Sequence, residues 1–188
     1  MDTVTVKSLM IPVEQFPRVS QEKTFGAAAE ALDQCHLDFK AGNRPTCILL
    51  VQDAQNRIVG KISPVDLLRA LEPQYTKLRG TIGEYSRGLS YDKMIDSALD
   101  HSALWSKPLN ELCTKSGSLK IKDFILHPAT EQTVSMTDSL DKALHRFVMG
   151  RHDSLFVMDG KRLVGMLLFK DVYGHILSTI KDSCPLEA

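Results

Sequence analysis

Apolar positions along the chain switch between a helical and a strand period. Leu140, Ala143, Leu144, Phe147 and Val148 follow the i, i+3, i+4, i+7, i+8 spacing of a helix with one buried stripe, and Asp138 or Ser139 can cap its start. Phe25, Ala28, Ala29, Leu32 and Cys35 give the same face earlier in the chain. A short apolar run follows each helix, CILLV at 47–51 and LFVM at 155–158. A polar turn comes next, Asp53 to Asn56 or Asp159 to Lys161, and then a run opening IVG or LVG. Short apolar runs joined by tight polar turns predict antiparallel hairpins. A further helix closes each series, so the pattern predicts strand, helix, strand, strand, helix, twice over, in an α/β (α+β) fold.

The two series are copies of one unit. Residues 57–71 read RIVGKISPVDLLRAL and residues 162–177 read RLVGMLLFKDVYGHIL. Gly60 matches Gly165 and Asp66 matches Asp171, each 105 positions on. Upstream, VKSLM at 6–10 matches IKDFI at 121–125, and Ser20 to Phe25 matches Ser135 to Leu140, each 115 positions on. The first copy is therefore longer ahead of its second strand, and the extra residues fall near Leu37 to Pro45, where Gly42, Asn43 and Pro45 mark a loop. A single unit of about 55–60 residues is near the lower limit for independent stability, so the two are expected to share a core as a pseudo-two-fold module with clefts between them. The expected division is a first repeat at 1–72, a helical insert at 73–118 and a second repeat at 119–188. The insert is too long for a structureless loop. It holds Tyr75, Tyr85, Tyr91 and the single Trp105, and Met94, Ile95, Ala98 and Leu99 have helical spacing. It reads as a helical arm packed on its own module or across a dimer, or as a lid or partner-docking surface.

The sharpest local feature is Gly60-Lys61-Ile62-Ser63-Pro64-Val65-Asp66. Ser63 stands at an N-cap, Pro64 at N1 and Asp66 at N3, which by itself makes a good capping box. The same geometry offers free N–H groups and positive dipole to a phosphate, and a carboxylate to a ribose diol. In the second copy Gly165-Met166-Leu167-Leu168-Phe169-Lys170-Asp171 puts Leu168 where Ser63 stands, and leucine can neither cap nor hydrogen-bond a ligand.

Composition narrows the choice of function. Lys+Arg and Asp+Glu both number 23, and a net charge of zero argues against broad nucleic-acid or anionic-membrane binding. No stretch reaches the ~20 apolar residues of a membrane helix, and the start of the chain lacks the pattern of a signal peptide. Cys35, Cys47, Cys113 and Cys184 form no C-x-x-C pair and are expected to be reduced thiols of a cytoplasmic protein. The six histidines are scattered singly, and neither a metal site nor a nucleophile elbow, Walker A or dinucleotide fingerprint is present. A hydrolase or transferase activity therefore has little support.

The G-x-x-[ST]-x-x-D motif closing a β-β-α unit, at equivalent places in two copies, resembles the cystathionine-β-synthase (CBS) domain pair, or Bateman module. The resemblance covers roughly residues 4–72 and 118–181. It implies a regulatory module, not an enzyme, that needs no cofactor and takes AMP, ADP, ATP or, less often, S-adenosylmethionine. By this resemblance Asp66 binds the ribose hydroxyls, Ser63 lies near ribose or phosphate, and the backbone beside Ile62 helps hold the adenine. Each cleft is completed by the other copy. The better site is expected at Ile62, Ser63, Val65 and Asp66 with Arg44, Thr133 and Val134. The weaker one is expected at Leu168, Lys170, Asp171, Arg151 and His152 with Val19, from the Pro17 to Val19 stretch. Arg44, Arg151, His152 and Lys170 read equally as solvated surface charge, and Asp171 as a helix-start carboxylate. The resemblance further implies a homodimer, and a regulated protein on a separate chain. The alternative is a scaffold or dimerisation module whose clefts hold no ligand.

Overall fold

The computed structural model describes residues 4–72, 116–125 and 127–183. Along the chain the elements are α1 (Val6–Leu9), β1 (Ile11–Pro12), β2 (Arg18–Ser20), α2 (Phe25–Lys40), β3 (Leu49–Gln52), β4 (Ile58–Ile62), α3 (Pro64–Leu71), β5 (Thr133–Ser135), α4 (Leu140–Gly150), β6 (Ser154–Asp159), β7 (Arg162–Leu168) and α5 (Phe169–Ser183). Short 3-10 turns cover Val13–Gln15, Ile121–Asp123 and Thr130–Gln132. The helices and aromatic cluster expected at 73–115 lie outside the described residues. The remainder divides into two compact units, 18–72 with 116–125 and 4–17 with 127–183.

In the first unit β2 runs parallel to β3, and β3 pairs antiparallel with β4. The parallel pair needs a crossover, which α2 supplies. Thr24 caps α2 by accepting from the Ala27 N–H at 3.3 Å. The helix then buries Ala28 and Leu32 against Leu49, Val51 and Ile62 of the sheet. In the turn between the strands, Asp53 accepts from the N–H groups of Gln55 and Arg57, both at 2.9 Å, and meets the Arg57 guanidinium at 2.7 Å. Asn56 takes the left-handed conformation (φ 59°) that lets so short a connection reverse the chain.

The second unit repeats this plan and adds a strand, giving a sheet in the order β1-β7-β6-β5. Val134, Ala143, Phe147, Leu155, Val157, Leu167 and Val172 form its core. Both hairpins carry a register shift at the same repeat position, Val51/Gln52 and Val157/Met158, and both shifted valines face the motif glycine, Gly60 or Gly165. Gly60 sits in the middle of β4. Gly165 is required by close approach: a Cβ there would lie 2.6 Å from the Ile11 carbonyl oxygen of β1.

The copies exchange their opening segments. Val6, from the first repeat, donates its N–H to the Asp138 carbonyl at 2.9 Å and is fully buried in the second unit's core. The matching residue of the second repeat, Ile121, donates to the Lys23 carbonyl at 3.0 Å and is fully buried in the first unit's core. Lys120 and Lys122 secure that segment through Glu22, at 3.4 and 2.9 Å.

The helical stripes follow the sequence pattern with one exception. Leu140, Ala143 and Phe147 are buried, whereas Val148 is 62% exposed. At 100° per residue Val148 lies about 80° round the helix from Leu140, at the margin of the stripe. Ser139 occupies the N-cap of α4 without capping it, and Asp138 instead accepts from the Ser135 N–H at 2.9 Å and from Lys142 at 2.8 Å.

Candidate functional site

The motif of the first unit sits where β4 gives way to α3. Ile62 is fully buried as the last strand residue, and Ser63 is extended (φ −120°, ψ 169°). Pro64 opens the helix, and Asp66 folds back over its start. One carboxylate oxygen of Asp66 accepts from the Ser63 N–H at 2.9 Å and from the Ser63 hydroxyl at 2.7 Å. The other accepts from Arg69 at 2.9 Å. The serine hydroxyl thus donates to the acid, and the reciprocal contact of Ser63 and Asp66 is the capping box that the sequence pattern predicts. Arg69 was not foreseen, although its position three residues after Asp66 on a helix was legible. The Asp66 and Arg69 side chains are 23% and 26% exposed, so the pair is partly open to solvent. Val65 projects from the same turn and is 60% exposed.

Arg44 lies in the loop after α2, paired with Asp38 at 3.0 Å. The Arg44 guanidinium, helped by Gln34, holds the Asp38 carboxyl below its usual range. Val19 is buried in the first unit's core and Val134 in the second's, so each offers backbone rather than side chain to any ligand. Thr133 is half-buried and its hydroxyl donates to the Thr130 carbonyl at 2.9 Å. Thr133 and Val134 belong to one compact unit and the Ser63–Asp66 group with Arg44 to the other.

The equivalent turn of the second unit is built differently. Leu168 is the last residue of β7, pairs with Ser154 and is buried, so the strand runs through the position that Ser63 holds as a cap. The Phe169 N–H donates to the Asp153 carbonyl at 2.9 Å. Phe169 packs edge-on against Phe147, with ring centroids 5.6 Å apart, and stacks with Tyr173. Asp171 is half-buried, and its carboxylate makes no hydrogen bond or ion pair among the described residues; position 174, matching Arg69, is glycine. Lys170 is exposed on the same turn. Arg151 closes α4 in the left-handed conformation (φ 48°) and is exposed. His152 turns inward instead: its Nε2 is buried with no hydrogen-bond partner among the described residues, and it packs so closely on Gly150 that a Cβ there would clash with the ring. A surface hollow of roughly 380 Å³ lies on this unit between Glu131, Lys142, His145, Arg146, Met149 and Gly150, and it includes none of the motif residues. Among the described residues no cluster of His, Cys, Asp or Glu could hold a metal ion, and no helix is long and apolar enough to cross a membrane.

Comparison with known proteins is consistent across sequence and fold. Residues 121–178 match the CBS domain family. No curated protein matches the sequence. Several solved structures share the fold over nearly the whole chain. CBSX2 in complex with AMP is 19% identical, with a TM-score of 0.55, and the match covers 93% of this chain and 97% of that one. CBSX2 from Arabidopsis thaliana is 18% identical with a TM-score of 0.55, covering 94% and 96%. A CBS domain-containing protein of unknown function from Bacillus anthracis is 15% identical with a TM-score of 0.57, covering 93% and 94%. The matched domain supplies the second repeat, and the first repeats its strand order and hairpin irregularity; residues 121–178 are therefore a CBS domain, and the chain has the fold of a tandem CBS-domain pair.

Proposed function

We propose that this chain is a regulatory module that binds an adenine nucleotide, AMP, ADP or ATP, between its two repeats and modulates a separate protein. The observation that carries this reading is the AMP complex of CBSX2, a protein of the same fold. The chemistry of the Ser63–Asp66 turn supports it: a partly exposed carboxylate at a helix start is suited to a ribose diol, and the helix amides to a phosphate. In this proposal Ile62, Ser63, Val65, Asp66 and Arg44 form the better site, completed by Thr133 and Val134. Leu168, Lys170, Asp171, Arg151 and His152, with Val19, form the weaker one. The module works without a cofactor and without turnover, as a cytoplasmic homodimer, by binding its ligand with different affinity in two states.

One observation favours a second reading of which site is stronger. Asp66 already accepts three hydrogen bonds, including one from Arg69. A carboxylate has about four acceptor positions, so a ribose diol must displace at least one of these partners. Among the described residues Asp171 has no such partner, and no arginine follows it three residues on. Calorimetric titration of Asp66→Ala and Asp171→Ala separates the two readings by which substitution removes binding.

A thermal-shift screen of AMP, ADP, ATP and S-adenosylmethionine tests the function itself. A ligand that binds only the native state raises its stability. The expected result is a higher midpoint with an adenine nucleotide. A larger rise with S-adenosylmethionine reassigns the ligand, and no rise with any of the four supports a ligand-free scaffold or dimerisation module.

A further inference from the structure

Two cysteines that sequence places twelve positions apart meet in the first unit. Cys35 lies on the buried face of α2, one turn from its end, and is 2% exposed. Cys47 lies just ahead of β3 and is half-buried. Their contacts cross: the Cys35 Sγ donates to the Thr46 carbonyl at 3.8 Å, and the Cys47 Sγ donates to the Leu32 carbonyl at 3.5 Å. Each thiol is thus held against the backbone of the other cysteine's segment, Cys35 on the residue just before Cys47 and Cys47 on the residue one helical turn before Cys35. Both are free thiols. These crossed contacts bring the two side chains together, and a disulfide asks their sulfurs to close to ~2.05 Å.

We propose that Cys35 and Cys47 form a reversible intramolecular disulfide, with hydrogen peroxide as oxidant. The half-buried Cys47 is the side that peroxide reaches. Its thiolate attacks one peroxide oxygen, the O–O bond breaks, hydroxide leaves, and Cys47 becomes a sulfenic acid. The Cys35 sulfur then attacks the Cys47 sulfur, the S–O bond breaks, and the departing hydroxide takes the Cys35 proton as water. In sum two thiols and one peroxide give one disulfide and two waters, with the thiols oxidised and the peroxide reduced. Burial, together with the neighbouring Cys47, pushes the Cys35 thiol up to about 12, so it stays protonated and serves as the resolving partner rather than the peroxide-reactive one. The bridge fixes both ends of the segment 36–46 to each other. That segment holds Gly42 in the left-handed conformation (φ 76°) and the Arg44–Asp38 pair. The pairing of the thiols does not depend on nucleotide binding.

Cys113→Ser/Cys184→Ser protein, which keeps only these two thiols, is treated with hydrogen peroxide, alkylated, digested without reduction and analysed by mass spectrometry. The expected product is a peptide pair joined through Cys35 and Cys47 that separates on adding dithiothreitol. In Cys35→Ser on the same background, Cys47 is expected to be trapped as a sulfenic acid by dimedone. Recovery of both cysteines as alkylated thiols overturns the proposal. So does conversion of Cys47 to sulfinic acid with Cys35 still free. Circular dichroism of each variant confirms that the fold is retained.

Discussion

Asp66 serves two demands at once. Its carboxylate closes the start of α3 through Ser63 and holds Arg69, and in the proposed function it must also receive a ribose. Replacing a charged acceptor typically loses about 1.5–3 kcal/mol of binding. Asp66→Ala is therefore expected to weaken the nucleotide by roughly 10- to 150-fold in a calorimetric titration. Arg69 tests the competition. A partly exposed ion pair is worth about 0.2–1 kcal/mol, so Arg69→Leu is expected to tighten binding by up to about fivefold. Weaker binding in that variant would make Arg69 a ligand contact instead of a competitor.

Asp138 links the residue scale to acid stability. Burial pushes its carboxyl up, but Lys142, the Ser135 N–H and the nearby charge of Arg146 outweigh this and hold it below the usual range. A carboxyl depressed in the folded state stabilises the fold fully above its unfolded pKa, near 3.9, and loses that contribution as pH falls through the folded value. Urea titrations of Asp138→Asn should therefore show a stability loss at pH 7 that shrinks below about pH 4. An equal loss at neutral and acid pH would contradict this.

Among the elements, the strands and helices were the most legible part. Leu140, Ala143 and Phe147 are sorted inward by spacing alone, and the 105-residue offset of Gly60 and Gly165 placed both hairpins. The role of each glycine was not legible, because close approach depends on a neighbour remote in sequence. Gly165 faces the Ile11 carbonyl across β1 and β7, whereas a Cβ at Gly174 in α5 meets nothing within 4 Å. Gly165→Ala is expected to cost about 1–3 kcal/mol by forcing β1 aside. Gly174→Ala is expected to gain about 0.5–1 kcal/mol through helix propensity. Opposite shifts in the thermal midpoint would bear this out, and shifts of the same sign would not. The difference between the two motif turns was half legible. Leu168 plainly lacks a hydroxyl, but the extension of β7 through it, and the three bonds that occupy Asp66, come from packing that a linear pattern does not encode.

For the whole molecule, internal repetition showed which segments are equivalent but not which ones touch. Val6 and Ile121 match in sequence, yet each completes the core built mainly from the other repeat. Neither unit is therefore made by one repeat alone, and the two copies are expected to unfold together. Nucleotide bound to the native state adds to that stability, by about 2.7 kcal/mol at a hundredfold excess over the dissociation constant. In the proposed function an adenine nucleotide binds through Asp66. Titration of AMP into the native chain and into Asp66→Ala protein, followed by calorimetry, separates the outcomes. Saturable binding to the native chain that is largely lost in the variant is expected; no binding to the native chain, or equal binding to both, would overturn the assignment.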